Sequence, residues 1–287
     1  MLLSLDGISV GDAVGMRILV RPERLETKKL PDGPWRWSDD THMALSVVEN
    51  LALFGAINQD KLIEAFATRY NADPYRGYGF GMRRLLAKFG QKPWMEAAQS
   101  LFGGTGSFGN GAAMRAPPIG ACFAGDLETS AAQARLSAQV THAHPEGQAG
   151  AIAVAVAAAL AATPSCPRGN GFIERILSLT PSGLTHDGLA KALHIPHDQL
   201  QRAIDELGTG HNISSQDTVP FCIWVAAHHL DDFEEAMWAT ATGLEDADTT
   251  CAIVGGIVAL SAKNIPQQWL QAREGLPEMN LATSVDA

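Results

Sequence analysis

Two short runs of this chain concentrate oxygen donors. Trp37-Ser38-Asp39-Asp40-Thr41 sets two adjacent carboxylates between two hydroxyls, and Asp246-Ala247-Asp248-Thr249-Thr250 repeats the chemistry some two hundred residues later. A helix cap accounts for one or two such residues, because Ser, Thr and Asp accept the free N–H groups at a helix start. Four consecutive oxygen-bearing side chains exceed what a cap needs, and adjacent carboxylates repel unless a cation separates them. Brought together, the runs would offer a set of four carboxylates and two hydroxyls. Oxygen-only donors suit two divalent ions, Mg2+ or Mn2+, better than zinc, and such ions can share bridging carboxylates.

A third run, Gly103 to Gly111, is glycine-rich and precedes a helical pattern, so its backbone N–H groups could face a phosphate. It lacks the Gly-Lys-Ser/Thr of a Walker loop, and no strand precedes it as in a dinucleotide fingerprint. Glycine there allows close approach and positive φ. Thr141-His142-Ala143-His144-Pro145 carries two histidines at i, i+2, which in a helix would not face one way, so a zinc pair is not expected. His228 and His229 have no spacing that speaks for function.

The elements that must position these runs read as helices. Apolar residues recur at spacings of three and four, predicting helices over 43–56, 60–70, 111–123, 127–140, 146–162, 198–207, 218–229, 233–242 and 249–262. Alternating β-branched and aromatic runs are nearly absent, and alanine is abundant, which predicts an all-α fold. The stretch 149–162 is apolar on almost every face and should run through the middle of the molecule. Both acidic runs then fall at helix starts.

The whole chain bounds its partners. A length of 287 residues with 46% hydrophobic content can bury a sizeable core, and 1–287 reads as one domain. A net charge of −10 gains nothing from counterion release, so no nucleic-acid partner is expected. No signal peptide or membrane span is read, so the expected location is the cytoplasm. The four cysteines, at 122, 166, 222 and 251, have no zinc or redox spacing.

Taken in order, Gly11-Asp12-Ala13-Val14-Gly15, WSDDTHMAL, GSFGNGAAMR, THAHP and DADTT resemble the ADP-ribosylglycohydrolase family, including the dinitrogenase reductase-activating glycohydrolases. The resemblance covers nearly the whole chain and implies a single-domain, all-α orthogonal bundle with a central binuclear metal site. It implies that Ser38, Asp39, Asp40, Asp246, Asp248 and Thr249 are the metal ligands. It further implies that Gly106, Ser107, Phe108, Gly109, Asn110 and Gly111 cradle ADP-ribose, and that His142 lines the ligand pocket. Asp39, Asp40 and Asp248 are the expected catalytic carboxylates, with Asp40 and Asp248 as alternative acceptors of a water's proton. Two departures stand out: Leu19 occupies the place of a family glutamate, and Leu244-Glu245 replaces a glycine pair. The implied reaction is metal-dependent removal of ADP-ribose from a modified side chain, arginine first. O-linked ADP-ribose, a small ADP-ribosyl metabolite and a non-catalytic ADP-ribose-binding relative are the alternatives.

Overall fold

The computed structural model describes residues 1–87, 89–279 and 281, and among them sixteen α-helices and three 3-10 turns are joined without a strand. The all-α expectation holds. One continuous hydrophobic core runs from Leu5 to Trp269.

The helix Pro145–Ala161 is the centre. Every residue from Ala149 to Ala161 is buried, as a helix apolar on all faces must be. Its alanines let neighbours come close: a Cβ added at Gly120, in the helix Pro117–Cys122, would meet the Ala155 carbonyl oxygen.

The helix Leu2–Val20 was not anticipated. It carries Gly7, Gly11 and Gly15, and each interior glycine costs a helix about 1 kcal/mol relative to alanine. The structure supplies the reason for them. Spaced at i, i+4 and i+8, they form a stripe on one face. A Cβ at Gly7, Gly11 or Gly15 would land on the backbone of Gly255, Cys251 or Ala247. The stripe lets Leu2–Val20 lie backbone to backbone on the buried helix Ala247–Ala262.

The expected helix over 111–123 is broken. Asn110–Ala112 forms one 3-10 turn, the chain turns again through Arg115, and Pro117–Cys122 restarts the helix with proline in its first turn. Proline lacks an N–H and suits a helix start rather than its interior. The remaining expected helices are present, with ends shifted by a few residues.

Candidate active site

The acidic runs sit where expected, at helix starts. Ser38 is the N-cap of Asp39–Phe54 and Asp246 that of Ala247–Ala262. Capping does not explain them. The Asp246 side chain makes no capping bond; its Oδ2 instead accepts from Asn110 Nδ2 at 2.7 Å. Ser38 Oγ accepts from the Asp40 N–H only at 3.3 Å, while it donates to Asp40 Oδ2 at 2.7 Å.

Both runs open on one cavity of about 390 Å³, lined by Asp39, Asp40, Asp246, Asp248 and Thr249 among others. Ser38 is buried behind this wall, its hydroxyl turned onto Asp40. The crowding of carboxylates is visible in their acidity. Burial first, then the charge of Asp248, pushes the Asp39 carboxyl well above the usual carboxylate range. Burial, then Asp12 and Asp248, does the same to Asp40. Burial and the neighbouring Asp248 push Asp246 up to about 7, against the bond from Asn110.

One carboxylate of this group was not singled out from sequence. Asp12, in the middle of Leu2–Val20, is fully buried. Its two oxygens accept from the Ser38 N–H at 2.9 Å each, and Oδ2 also accepts the Thr41 N–H at 3.1 Å and the Thr41 hydroxyl at 2.6 Å. Asp12 thus holds the turn that presents Asp39 and Asp40. Burial raises its carboxyl to about 7, with Thr41 pulling the other way. The signal was available: a carboxylate inside a glycine-striped, otherwise apolar helix must be buried, and a buried carboxylate needs partners.

The donor chemistry fits a divalent cation. Asp40 Oδ1 is buried with no hydrogen-bond partner, the state of an oxygen that lacks its ligand. Among the described residues no three His, Cys, Asp or Glu side chains stand ready-made around one ion position. A divalent cation between the runs would offset the repulsion of their carboxylates.

Ser107, Phe108, Gly109, Asn110 and Gly111 line the same cavity, and so does His142. Gly106 does not: at φ 75° it packs under the Ala143–His144 backbone. The expectation of positive φ along this loop is met at Gly103, Gly104 and Gly106. Gly109 is extended, with φ −62°, so glycine there provides space rather than a special conformation. Asn110 Nδ2 ties the loop to the second acidic run through Asp246, and it also donates to Thr218 Oγ1 at 3.0 Å. Phe102 and Phe108, both exposed, stand at the mouth with ring centroids 6.3 Å apart. His144 does not line the cavity: it is the N-cap of Pro145–Ala161, accepting the Glu146 N–H on Nδ1 at 3.1 Å, and its ring stands edge-on to Phe108 at 5.5 Å.

The two departures resolve differently. Glu245 is exposed and its Oε2 meets His211 Nδ1 at 3.0 Å, outside the cavity wall. Leu19 follows Asp12 by seven residues in one helix, on nearly the same face and about 10.5 Å along the axis.

The sequence profile of the ADP-ribosylglycohydrolase family matches residues 3–285. ADP-ribosylhydrolase ARH3 of Danio rerio is 28% identical, over 91% of this chain and 80% of its own. The human protein of that name is 27% identical, over 85% and 76%. ADP-ribosylarginine hydrolase Tri1 of Serratia proteamaculans is 23% identical, over 93% and 73%. A solved structure described as an ADP-ribosylglycohydrolase-related protein complex shares the fold at a TM-score of 0.61 and 24% identity, covering 94% of this chain and 90% of that one.

Proposed function

The chain belongs to the ADP-ribosylglycohydrolase family, and from that premise we propose that it hydrolyses the N-glycosidic bond joining ADP-ribose to a modified arginine, with divalent cations held between the acidic runs. The observation that carries this reading is the opening of both runs, 39–40 and 246–249, on one cavity with the glycine-rich loop. The arginine acceptor is supported by the name of the Serratia relative, ADP-ribosylarginine hydrolase.

Divalent cations bound at Ser38, Asp39, Asp40, Asp246, Asp248 and Thr249 would supply charge compensation and orient the ribose hydroxyls. The protein's own groups then do the following. N–H groups of Ser107, Phe108 and Gly111 hold the diphosphate without a basic patch, those of Gly109 and Asn110 being given to Ser107 Oγ at 3.2 Å and the Ile213 carbonyl at 3.3 Å. Phe102 and Phe108 offer faces on which a flat base can rest. Asp40 or Asp248 takes a proton from the attacking water as its oxygen bonds the anomeric carbon. The carbon–nitrogen bond breaks, and that proton passes to the departing guanidine nitrogen.

The test is a panel of ADP-ribosylated peptides, modified on arginine or serine, together with O-acetyl-ADP-ribose, each incubated with Mg2+ and with EDTA. Free ADP-ribose should appear from the arginine peptide and vanish in EDTA. Release from the serine peptide or the acetyl ester alone would move the acceptor to an oxygen. Release from none would sink the hydrolase reading.

A further inference from the structure

One buried cation in the cavity wall has no role in the account above. Arg115 is fully buried, and among the described residues its guanidinium donates only to neutral acceptors. Nη1 reaches the Gly111 carbonyl at 3.0 Å, and Nη2 reaches the Ser137 carbonyl and Thr141 Oγ1, both at 2.8 Å. The Phe66 ring lies 4.6 Å from its central carbon. A buried charge without a carboxylate is costly, and burial lowers this guanidinium to about 9, so it is still charged at neutral pH.

Its bond to Thr141 continues inward. Thr141 Oγ1 stands 2.7 Å from His142 Nδ1. The hydroxyl has one hydrogen and two acceptors within reach, His142 Nδ1 at 2.7 Å and the Ala138 carbonyl at 3.4 Å. Arg115 already donates to that oxygen. If His142 Nδ1 also donated, the hydroxyl's hydrogen would be left with the long contact alone. The short, well-made arrangement has Thr141 donating to Nδ1. The ring's proton then sits on Nε2. That nitrogen has no partner among the described residues, in a side chain 7% exposed on the cavity wall. It faces the glycine-rich loop: a Cβ added at Gly109 or at Gly111 would lie 3.5 Å from it. Burial and the nearby Arg115 also lower His142 to about 3, which keeps the ring neutral.

We propose that Arg115 and Thr141 are positioning residues that lock His142 as a neutral Nε2–H donor, aimed at an oxygen of the ligand seated against Gly109 and Gly111. The proposal rests on the ADP-ribose reading of the cavity for the ligand's identity. The chain Arg115, Thr141, His142 gives the site a donor whose strength does not change across the physiological pH range. An exposed histidine would change its charge within that range, whereas burial first and Arg115 second keep this one neutral.

The experiment is nitrogen-15 NMR of the histidine rings in the full chain, joined to calorimetry with ADP-ribose in excess Mg2+. In the wild type at neutral pH, His142 should show a bare Nδ1 and a protonated Nε2. Thr141→Val should mix the tautomers and weaken ADP-ribose about tenfold, with Mg2+ affinity unchanged. Thr141→Ser should restore both. Arg115→Lys, which cannot reach all three oxygens at once, should behave like Thr141→Val; if it does not fold, Thr141→Val carries the test. A protonated Nδ1 in the wild type, or Thr141→Val binding ADP-ribose as tightly as the wild type, overturns the proposal. A wild type that binds no ADP-ribose would instead refute the assigned ligand, while the tautomer would still decide the positioning.

Discussion

Asp39 and Asp248 lie on different helices, yet the charge of Asp248 is the largest influence on Asp39 after burial. That coupling makes each carboxylate costly alone and useful with a cation between them. Asp39→Ala or Asp248→Ala should therefore lower turnover at least about a hundredfold while thermal stability holds or rises, because either change removes a repelling charge. Circular dichroism with a turnover assay checks both halves. The pH dependence follows from the same crowding. Asp12 and Asp246 carry carboxyls raised from 3.8 to about 7 in the folded protein. Below about 4 both folded and unfolded forms are protonated, and these groups leave stability untouched. As pH rises from 4 toward 7 the unfolded chain loses those protons first, so the metal-free protein should lose stability across that window and level off above it. Saturating Mg2+ should flatten the curve. Asp73, Asp126 and Glu274 are held below the ordinary range and act in the opposite sense, so the loss is read against Asp246→Asn without metal, and equal slopes from pH 4 to pH 7 in the two proteins would contradict the crowding. Glu245, paired with His211 at the surface, should tolerate change to Gln with normal rate and substrate range.

At the scale of elements, the site is where Leu2–Val20, Asp39–Phe54 and Ala247–Ala262 meet, and the glycine stripe sets how closely they meet. Gly11→Val should push Leu2–Val20 off Cys251 and carry Asp12 away from the Ser38–Thr41 turn. Overpacking typically costs about 1–3 kcal/mol, and a clash with backbone belongs at or above the top of that range. Urea denaturation should show the loss, and Mg2+ affinity should fall with it. A variant of wild-type stability would mean that the two helices do not touch as described. The same stripe explains what could be read from sequence and what could not. The acidic runs and the glycine-rich loop were legible from residue type, whereas His142 was placed in the pocket only by the family resemblance. The buried helix Pro145–Ala161 was legible from its apolar faces. Leu2–Val20 was not, because its glycines argue against a helix until the partner surface is known. Asp12 went unread with it. Arg115 was hidden for a related reason: a buried guanidinium served by carbonyls looks, in sequence, like any surface arginine. The break at 117–118 was visible as two prolines and was overrun by apolar periodicity.

Across the whole molecule, one core carries a cavity with an acidic floor, a glycine-lined wall and an aromatic mouth. No helix among the described residues is long and apolar enough to cross a membrane. Asn110 joins wall to floor at Asp246, but Gly109 faces Ser107 and His142, so the two functions separate at Gly109. Gly109→Val should fill the space beside Ser107 and His142 and weaken ADP-ribose sharply while Mg2+ binding stays intact, as paired calorimetric titrations would show. The proposed function depends on one juxtaposition, the sharing of cations by two runs some two hundred residues apart. A crystal structure of the Mn2+-loaded protein, with the ions located by anomalous scattering, tests it directly. Manganese is expected with oxygens of both the 38–40 and the 246–249 runs at about 2.0–2.2 Å. Manganese bound to one run alone, or lodged elsewhere with both runs bare, would contradict it.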